Sequence, residues 1–164
     1  MLVVLVIFAI AAGLLTLHLL PDDLDRARHE AEATALLLER AADEAERTGR
    51  ALAWHPDGAD SRFEAPDADG KWLALADDPD FGSRALPGEL RWGALQFPMP
   101  PDAGGVVAQA AQAAGARDPA AGGTRVVFLP GQLVPVFDIR LGAGTAQVLL
   151  HGDALGHVRV ETAP

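Results

Sequence analysis

Leu2-Val3-Val4-Leu5-Val6-Ile7-Phe8-Ala9-Ile10-Ala11-Ala12-Gly13-Leu14-Leu15-Thr16-Leu17-His18-Leu19-Leu20 opens the chain without a charged side chain, and the first charge, Asp22, follows Pro21. At a helical rise of 1.5 Å, about 20 residues reach ~30 Å, the hydrocarbon thickness of a bilayer. A helix apolar on every face has no place on a small water-soluble domain. Residues 2–20 are therefore expected to form a membrane helix, with His18 at its interfacial end. Ala9-Ile10-Ala11 fits a signal-peptide cleavage pattern. However, no basic region precedes it, and the apolar run continues well past it, so a retained anchor is the favoured reading. Nothing basic precedes the span, so charge does not set its orientation.

Beyond Pro21 the periodicity becomes that of an amphipathic helix. Asp22 and Asp23 offer capping side chains. Less polar residues then recur three and four apart at Leu24, Ala27, Ala31, Thr34, Leu38, Ala41, Ala45, Thr48 and Leu52. Leu36 and Leu37 are expected to widen this stripe. Charged side chains such as Arg28, Glu39, Arg40, Glu46 and Arg47 fill the other faces, and Gly49 is a stop signal. A stripe so rich in alanine is narrow and flat. It suits a helix laid across a sheet, the alternative being a coiled coil, whose seam usually takes larger residues. The helix-to-sheet packing set is thus Leu24, Ala27, Ala31, Thr34, Leu38, Ala41, Ala45 and Leu52.

After Gly49 the pattern turns to strands. Residues 51–55, 62–65 and 71–75 are short runs with Asp57-Gly58 and Asp67-Ala68-Asp69-Gly70 as turns between them. Residues 89–97 are a further candidate strand. Residues 98–123 are mostly alanine, glycine and proline, and are expected to form a flexible insertion. Strand character resumes at 125–129, 134–141, 146–150 and 157–160, with turns at Pro130-Gly131, 142–144 and 152–156. Spacing of about ten residues per strand suggests an antiparallel meander. The expected organisation is a transmembrane helix at 1–21, an amphipathic helix at 22–50 and a β-rich domain at 51–164. The fold class is α+β.

The whole chain has 164 residues, the size of one domain, with 49% hydrophobic and 22% charged residues. Its net charge of −10 argues against nucleic acid as a partner, which needs a concentrated basic face. Absence of cysteine removes disulfides, thiolate metal sites and thiol nucleophiles. Asp67-Ala68-Asp69-Gly70 resembles part of a calcium loop but lacks the closing glutamate at the required spacing, so it reads as a turn. Asp77-Asp78-Pro79-Asp80 is an acidic loop. His151, Asp153 and His157 lie close in sequence, but no further zinc ligand can be named. Neither Ser61 nor Ser83 sits in a nucleophile elbow. No catalytic residue, cofactor or metal site is expected.

The opening Leu2-Val3-Val4-Leu5-Val6-Ile7 resembles the apolar helix of type IV pilin-like proteins. Arg125-Val126-Val127-Phe128-Leu129-Pro130-Gly131-Gln132-Leu133-Val134-Pro135, then Phe137-Asp138-Ile139-Arg140-Leu141, then Gly152-Asp153-Ala154-Leu155-Gly156-His157-Val158 resemble the C-terminal sheet of the H-type minor pseudopilin of bacterial type II secretion (general secretion pathway protein H). The segment 49–75 is also similar, so the likeness covers most of the chain except 98–123. That family carries a basic leader ending in glycine, which prepilin peptidase removes. Phe or Met follows, then a glutamate a few residues on. None of these is in this sequence, and the glutamate would fall directly before Met1. Met1 is therefore expected to be internal to a longer reading frame. An in-frame stop before any upstream Gly-Phe-x-x-x-Glu would remove that expectation. The processing and methylation that accompany the leader are assigned to no residue here.

The resemblance implies a structural subunit near the tip of a periplasmic pseudopilus that helps export folded proteins. It would sit in the inner membrane by a single pass, with its C-terminal domain in the periplasm. Its partners would be I-, J- and K-type minor pseudopilins, the major pseudopilin, membrane lipid and the secreted proteins. The chain has no phosphate-binding loop, so a separate ATPase would supply the work. Physically, residues 2–20 would exchange lipid for neighbouring copies of the same segment, a transfer between apolar surroundings. Gly13, Ala9, Ala11 and Ala12 would permit close helix approach. A head lacking the apolar helix is expected to stay monomeric by itself. A type IV minor pilin, and an unrelated single-pass protein with a periplasmic binding or catalytic domain, remain the alternatives at this point.

Overall fold

The computed structural model describes residues 23–98 and 124–163. The apolar span 2–20 and the insertion from 99 to 123 lie outside these residues. Among the described residues no helix is long and apolar enough to cross a membrane.

Helix α1 runs Asp23–Thr48, with Asp23 and Asp25 in its first turn and Arg47 in its last, charges that complement the helix dipole. It ends where Gly49 adopts a φ of 67° and its N–H donates to the Ala45 carbonyl at 3.0 Å. Its buried face is Ala27, Ala31, Thr34, Ala35, Leu38, Ala41 and Ala45. Leu24 is half-buried against the core, and Leu52 is buried but belongs to the first strand. Two expectations fail at the margins of this stripe. Thr48 is exposed, its hydroxyl donating to the Glu44 carbonyl at 2.7 Å. Leu36 is 68% exposed and does not widen the stripe. Successive residues turn by about 100°, so Leu36 lies roughly 200° from Leu38, whereas half-buried Leu37 stays at the edge.

Among the described residues nine strands follow, every pair antiparallel, and they divide into two sheets. Sheet one contains β1 (Leu52–Asp57), β2 (Asp60–Pro66), β3 (Trp72–Ala74), β4 (Arg84–Ala85) and β6 (Val126–Phe128), in the order β3-β2-β1-β6 with β4 also on β2. Sheet two contains β5 (Arg91–Trp92), β7 (Phe137–Ala143), β8 (Ala146–Gly152) and β9 (Val158–Thr162), in the order β5-β7-β8-β9. The expected single meander is thus corrected. The runs β1-β2-β3 and β7-β8-β9 do meander, but β6 closes on β1 across the chain and β5 crosses over to β7. The expected strand at 89–97 is only Arg91–Trp92, followed by an isolated bridge of Gln96 with Asp138. Gly93 keeps the backbone on β7 through its N–H to the Arg140 carbonyl, 2.8 Å. The turn expected at 142–144 moves on, because Gly142 and Ala143 still pair with β8.

Alternation decides what each strand buries. In β7, Phe137, Ile139 and Leu141 point into the core while Asp138 and Arg140 take the other face. In β8, Val148 and Leu150 do the same. Phe137 lies opposite Gly152, where a Cβ would overlap its ring, so glycine creates the space that seats Phe137. Sheet one contributes Leu52, Trp54, Phe63, Ala65, Val126 and Phe128 to the same core. Trp54 and Trp92 meet edge to face with centroids 5.2 Å apart, one ring from each sheet. Helix α1 lies across β7, β8 and β9 and reaches β1 and β6, so its alanine stripe covers the line where the sheets approach.

Candidate assembly surface

The helix is fastened to the head by its charged flanks as well as its apolar stripe. On one flank the Glu39 carboxylate accepts the Val158 N–H at 2.9 Å. Two turns along the same flank, the Glu46 carboxylate accepts the Gly131 N–H at 2.8 Å. On the other flank Arg40 pairs with Asp80 at 2.7 Å and Arg84 reaches Glu30 at 3.2 Å. The sequence pattern puts Glu39, Arg40 and Glu46 only on the faces outside the apolar stripe. Their partners lie far along the chain, where no local pattern announces them.

Sheet one carries a buried polar cluster on the face away from Trp54. Glu64 accepts from Arg62 Nε at 2.9 Å and from Arg125 Nη1 at 3.3 Å, and the Arg125 guanidinium stacks over Trp72 at 4.7 Å. Buried charges survive when paired in this way, so the cluster holds β6 to β2 across the intervening β1. His55 is buried on the same sheet. Loss of solvation, then the charge of Arg62, pushes its pKa below the ordinary histidine value against the opposite pull of Glu64 and Asp57.

The candidate chemical residues resolve into structural roles. Asp67 Oδ1 accepts the N–H groups of Asp69 and Lys71, both at 2.9 Å, which makes Asp67-Ala68-Asp69-Gly70 a closed turn. Asp78 Oδ1 likewise accepts from Asp80 and Phe81, each at 2.9 Å. His151 and His157 do not converge. His151 Nδ1 donates to Asp138 across the β7–β8 pair at 2.6 Å, while His157 lies 3.5 Å from Asp153. Desolvation raises the Asp153 pKa, but the N–H groups of His157 and Leu155 outweigh it and hold the carboxyl below its ordinary value. Among the described residues no group of three His, Cys, Asp or Glu is placed to hold a metal ion. Neither Ser61 nor Ser83 hydrogen-bonds to a histidine there.

What the head presents outward is shape and exposed apolar side chains. Leu36, Leu133 and Leu155 are more than two-thirds exposed, at 68%, 73% and 75%. Leu133 and Leu155 belong to neighbouring loops, joined by the Val134 N–H to the Ala154 carbonyl at 3.2 Å. Gly156 packs between Ala42 of α1 and Val134, so this loop pair abuts the helix. A shallow groove of about 520 Å³ runs over the outer face of sheet two, between Arg91, Gln96, Asp138, Arg140 and Gln147.

No protein-family model matches the sequence, and no curated protein matches it. Solved structures do. A structure of the minor pseudopilin EpsH from the type 2 secretion system of Vibrio cholerae aligns with a TM-score of 0.59 at 17% identity, over 84% of this chain and 98% of that one. A crystal structure of EpsH from the same organism aligns with a TM-score of 0.60 at 15% identity, over 85% and 96%. The solution structure of GspH from E. coli aligns with a TM-score of 0.59 at 22% identity, over 85% and 90%. Agreement across nearly the full length of each relative, with so few shared residues, is agreement in fold. The chain therefore has the α+β, pilin-like fold of the H-type minor pseudopilins, one N-terminal helix packed on antiparallel sheets.

Proposed function

We propose that the chain is a minor pseudopilin, a non-enzymatic subunit near the tip of a type II secretion pseudopilus. In this reading, residues 2–20 anchor it in the inner membrane by a single pass and the head lies in the periplasm. Its partners are the I-, J- and K-type minor pseudopilins, the major pseudopilin and the secreted proteins. The observation that carries the reading is α1. A narrow small-residue stripe lies flat on a two-sheet head, and charged side chains on both flanks lock it there. That construction suits a helix which transmits the position of a filament core to a rigid head.

Deleting the gene and measuring export tests the role. Folded substrates are expected to accumulate in the periplasm, with export restored by returning the gene. Unchanged export in the deletion strain would overturn the proposal. Intact export with loss of surface fibres would instead make the chain a type IV minor pilin.

A further inference from the structure

β9 is the outer strand of sheet two, with β8 on one side and no strand on the other among the described residues. The ladder shows which of its backbone groups face outward. The His157 carbonyl accepts the Asp153 N–H at 2.9 Å, and the Ala163 N–H donates to the Gln147 carbonyl at 3.1 Å. Between these ends, Arg159 lies opposite His151 and Glu161 opposite Leu149. Hydrogen-bonded pairs recur at every second residue of an antiparallel ladder. Backbone groups of the odd-numbered residues therefore point at β8, and those of Val158, Val160 and Thr162 point away. The Glu39 carboxylate takes the Val158 N–H.

Natural edge strands are usually guarded by proline, a bulge or an inward charge. β9 has no proline, and its inward side chains Val158 and Val160 are half-buried. Beside its edge lies a shallow, open depression lined by Glu32, Ala35, Leu36, Glu39, Val158 and Val160. Leu36, the exposed leucine that the helical stripe leaves out, lines this space. The two acids that flank it are already engaged, Glu32 with Arg28 at 2.9 Å and Glu39 with Val158. On the outward face, Arg159 and Glu161 have no ion-pair partner among the described residues.

Val158-Arg159-Val160-Glu161-Thr162 is complementary to itself in the antiparallel sense. When Val160 faces Val160 of a second copy, Arg159 falls opposite Glu161 and Glu161 opposite Arg159. The parity is correct, because Val160 is one of the outward-facing residues. The two Val160 residues would exchange reciprocal backbone bonds, and each Thr162 N–H would reach the opposing Val158 carbonyl. Each Val158 N–H would pass from the Glu39 carboxylate to the opposing Thr162 carbonyl. Sliding the strands by two residues, the next register with the same parity, sets Arg159 against Arg159 or Glu161 against Glu161. Like charges directly opposite are unfavourable, so the charges select one register.

We infer that β9 docks on β9 of a second copy of this chain, across a dyad normal to the sheet. Both α1 helices then lie on the same face, and their Leu36 side chains close over the joint. So short a pairing is weak between free heads. It gains strength when two copies are confined together and the effective concentration rises. The inference stands apart from any role in secretion, and its test does not use export.

The chain has no cysteine, so Val160→Cys introduces a single thiol. Hydrogen-bonded antiparallel partners lie about 5.5 Å apart at Cα, within disulfide reach. Full-length V160C in detergent micelles is expected to give a disulfide dimer on mild oxidation, at least fivefold more than L73C, an exposed control on the other sheet. Added to V160C, R159E alone or E161R alone should cut the yield severalfold. Mixing those two charge variants should restore it, because each then meets its opposite. Sedimentation of the cysteine-free R159E and E161R chains, separately and mixed, should follow the same pattern. That measurement covers the case in which V160C disturbs folding. Equal cross-linking at positions 160 and 73, or a mixture no better than its components in both measurements, would overturn the inference.

Discussion

His55 shows what burial does to a single titratable group. It sits on β1 opposite Arg62, and lost hydration together with that cation holds it neutral to lower pH than an exposed imidazole. The unfolded chain takes up a proton near the ordinary histidine pKa, about 6.5, while the folded chain still refuses it. Unfolding therefore binds a proton in the window below that value. Stability falls as pH drops from about 6.5 toward the lowered folded pKa, and does not fall further on this account below it. Urea denaturation between pH 5 and 8 should show the midpoint declining on the acid side. The decline should be shallower in His55→Gln, and equal slopes in both proteins would refute the assignment. Nearby Glu64 is buried as well, and it faces the guanidinium groups of Arg62 and Arg125 together.

At the scale of an element, α1 separates two kinds of leucine. Leu38 is fully buried in the helix-to-sheet joint, and Leu36 stands in solvent only two positions away. Truncating a buried leucine to alanine removes its transfer free energy and leaves a cavity. Leu38→Ala should cost about 2–5 kcal/mol, whereas Leu36→Ala should stay within about 0.5 kcal/mol, as exposed substitutions do. Chemical denaturation of the two variants checks this, and similar losses at both sites would mean the stripe is misplaced. The alanines of the stripe explain why the joint is so sensitive. Ala27, Ala31, Ala41 and Ala45 are all buried and bring the helix backbone close to the strands, so little slack remains around Leu38.

At the scale of the whole molecule, the two sheets share one core. Trp54 from sheet one meets Trp92 from sheet two, and α1 touches strands of both. Neither sheet has a separate apolar interior to fall back on. The head should therefore unfold as one cooperative unit. Tryptophan fluorescence of a Trp72→Phe variant, which leaves only the Trp54 and Trp92 pair between the sheets, and far-ultraviolet circular dichroism, dominated by α1, should give coincident denaturation curves. A fluorescence transition that clearly precedes the loss of helix would show that the sheets part independently.

The sequence by itself determined the phase and extent of the amphipathic helix, the turn at Gly58, the closed turn at Asp67 and the positions of most strands. These features are written in neighbours: the three-and-four spacing from Ala27 to Ala45, the alternation from Phe137 to Leu141, and glycines where the backbone turns. Only the tertiary structure decided that the strands divide into two sheets, that the two-residue β4 and β5 join them, and that β9 is, among the described residues, the open edge beside Leu36. It also decided which charges on α1 are used. Glu39 meets Val158 across 119 residues and Glu46 meets Gly131 across 85, separations at which no periodic pattern carries information. The physical reason is one of range. Backbone preference and side-chain period act within a few residues, while sheet partnership and ion pairing are settled by which distant segments the shared core brings into contact.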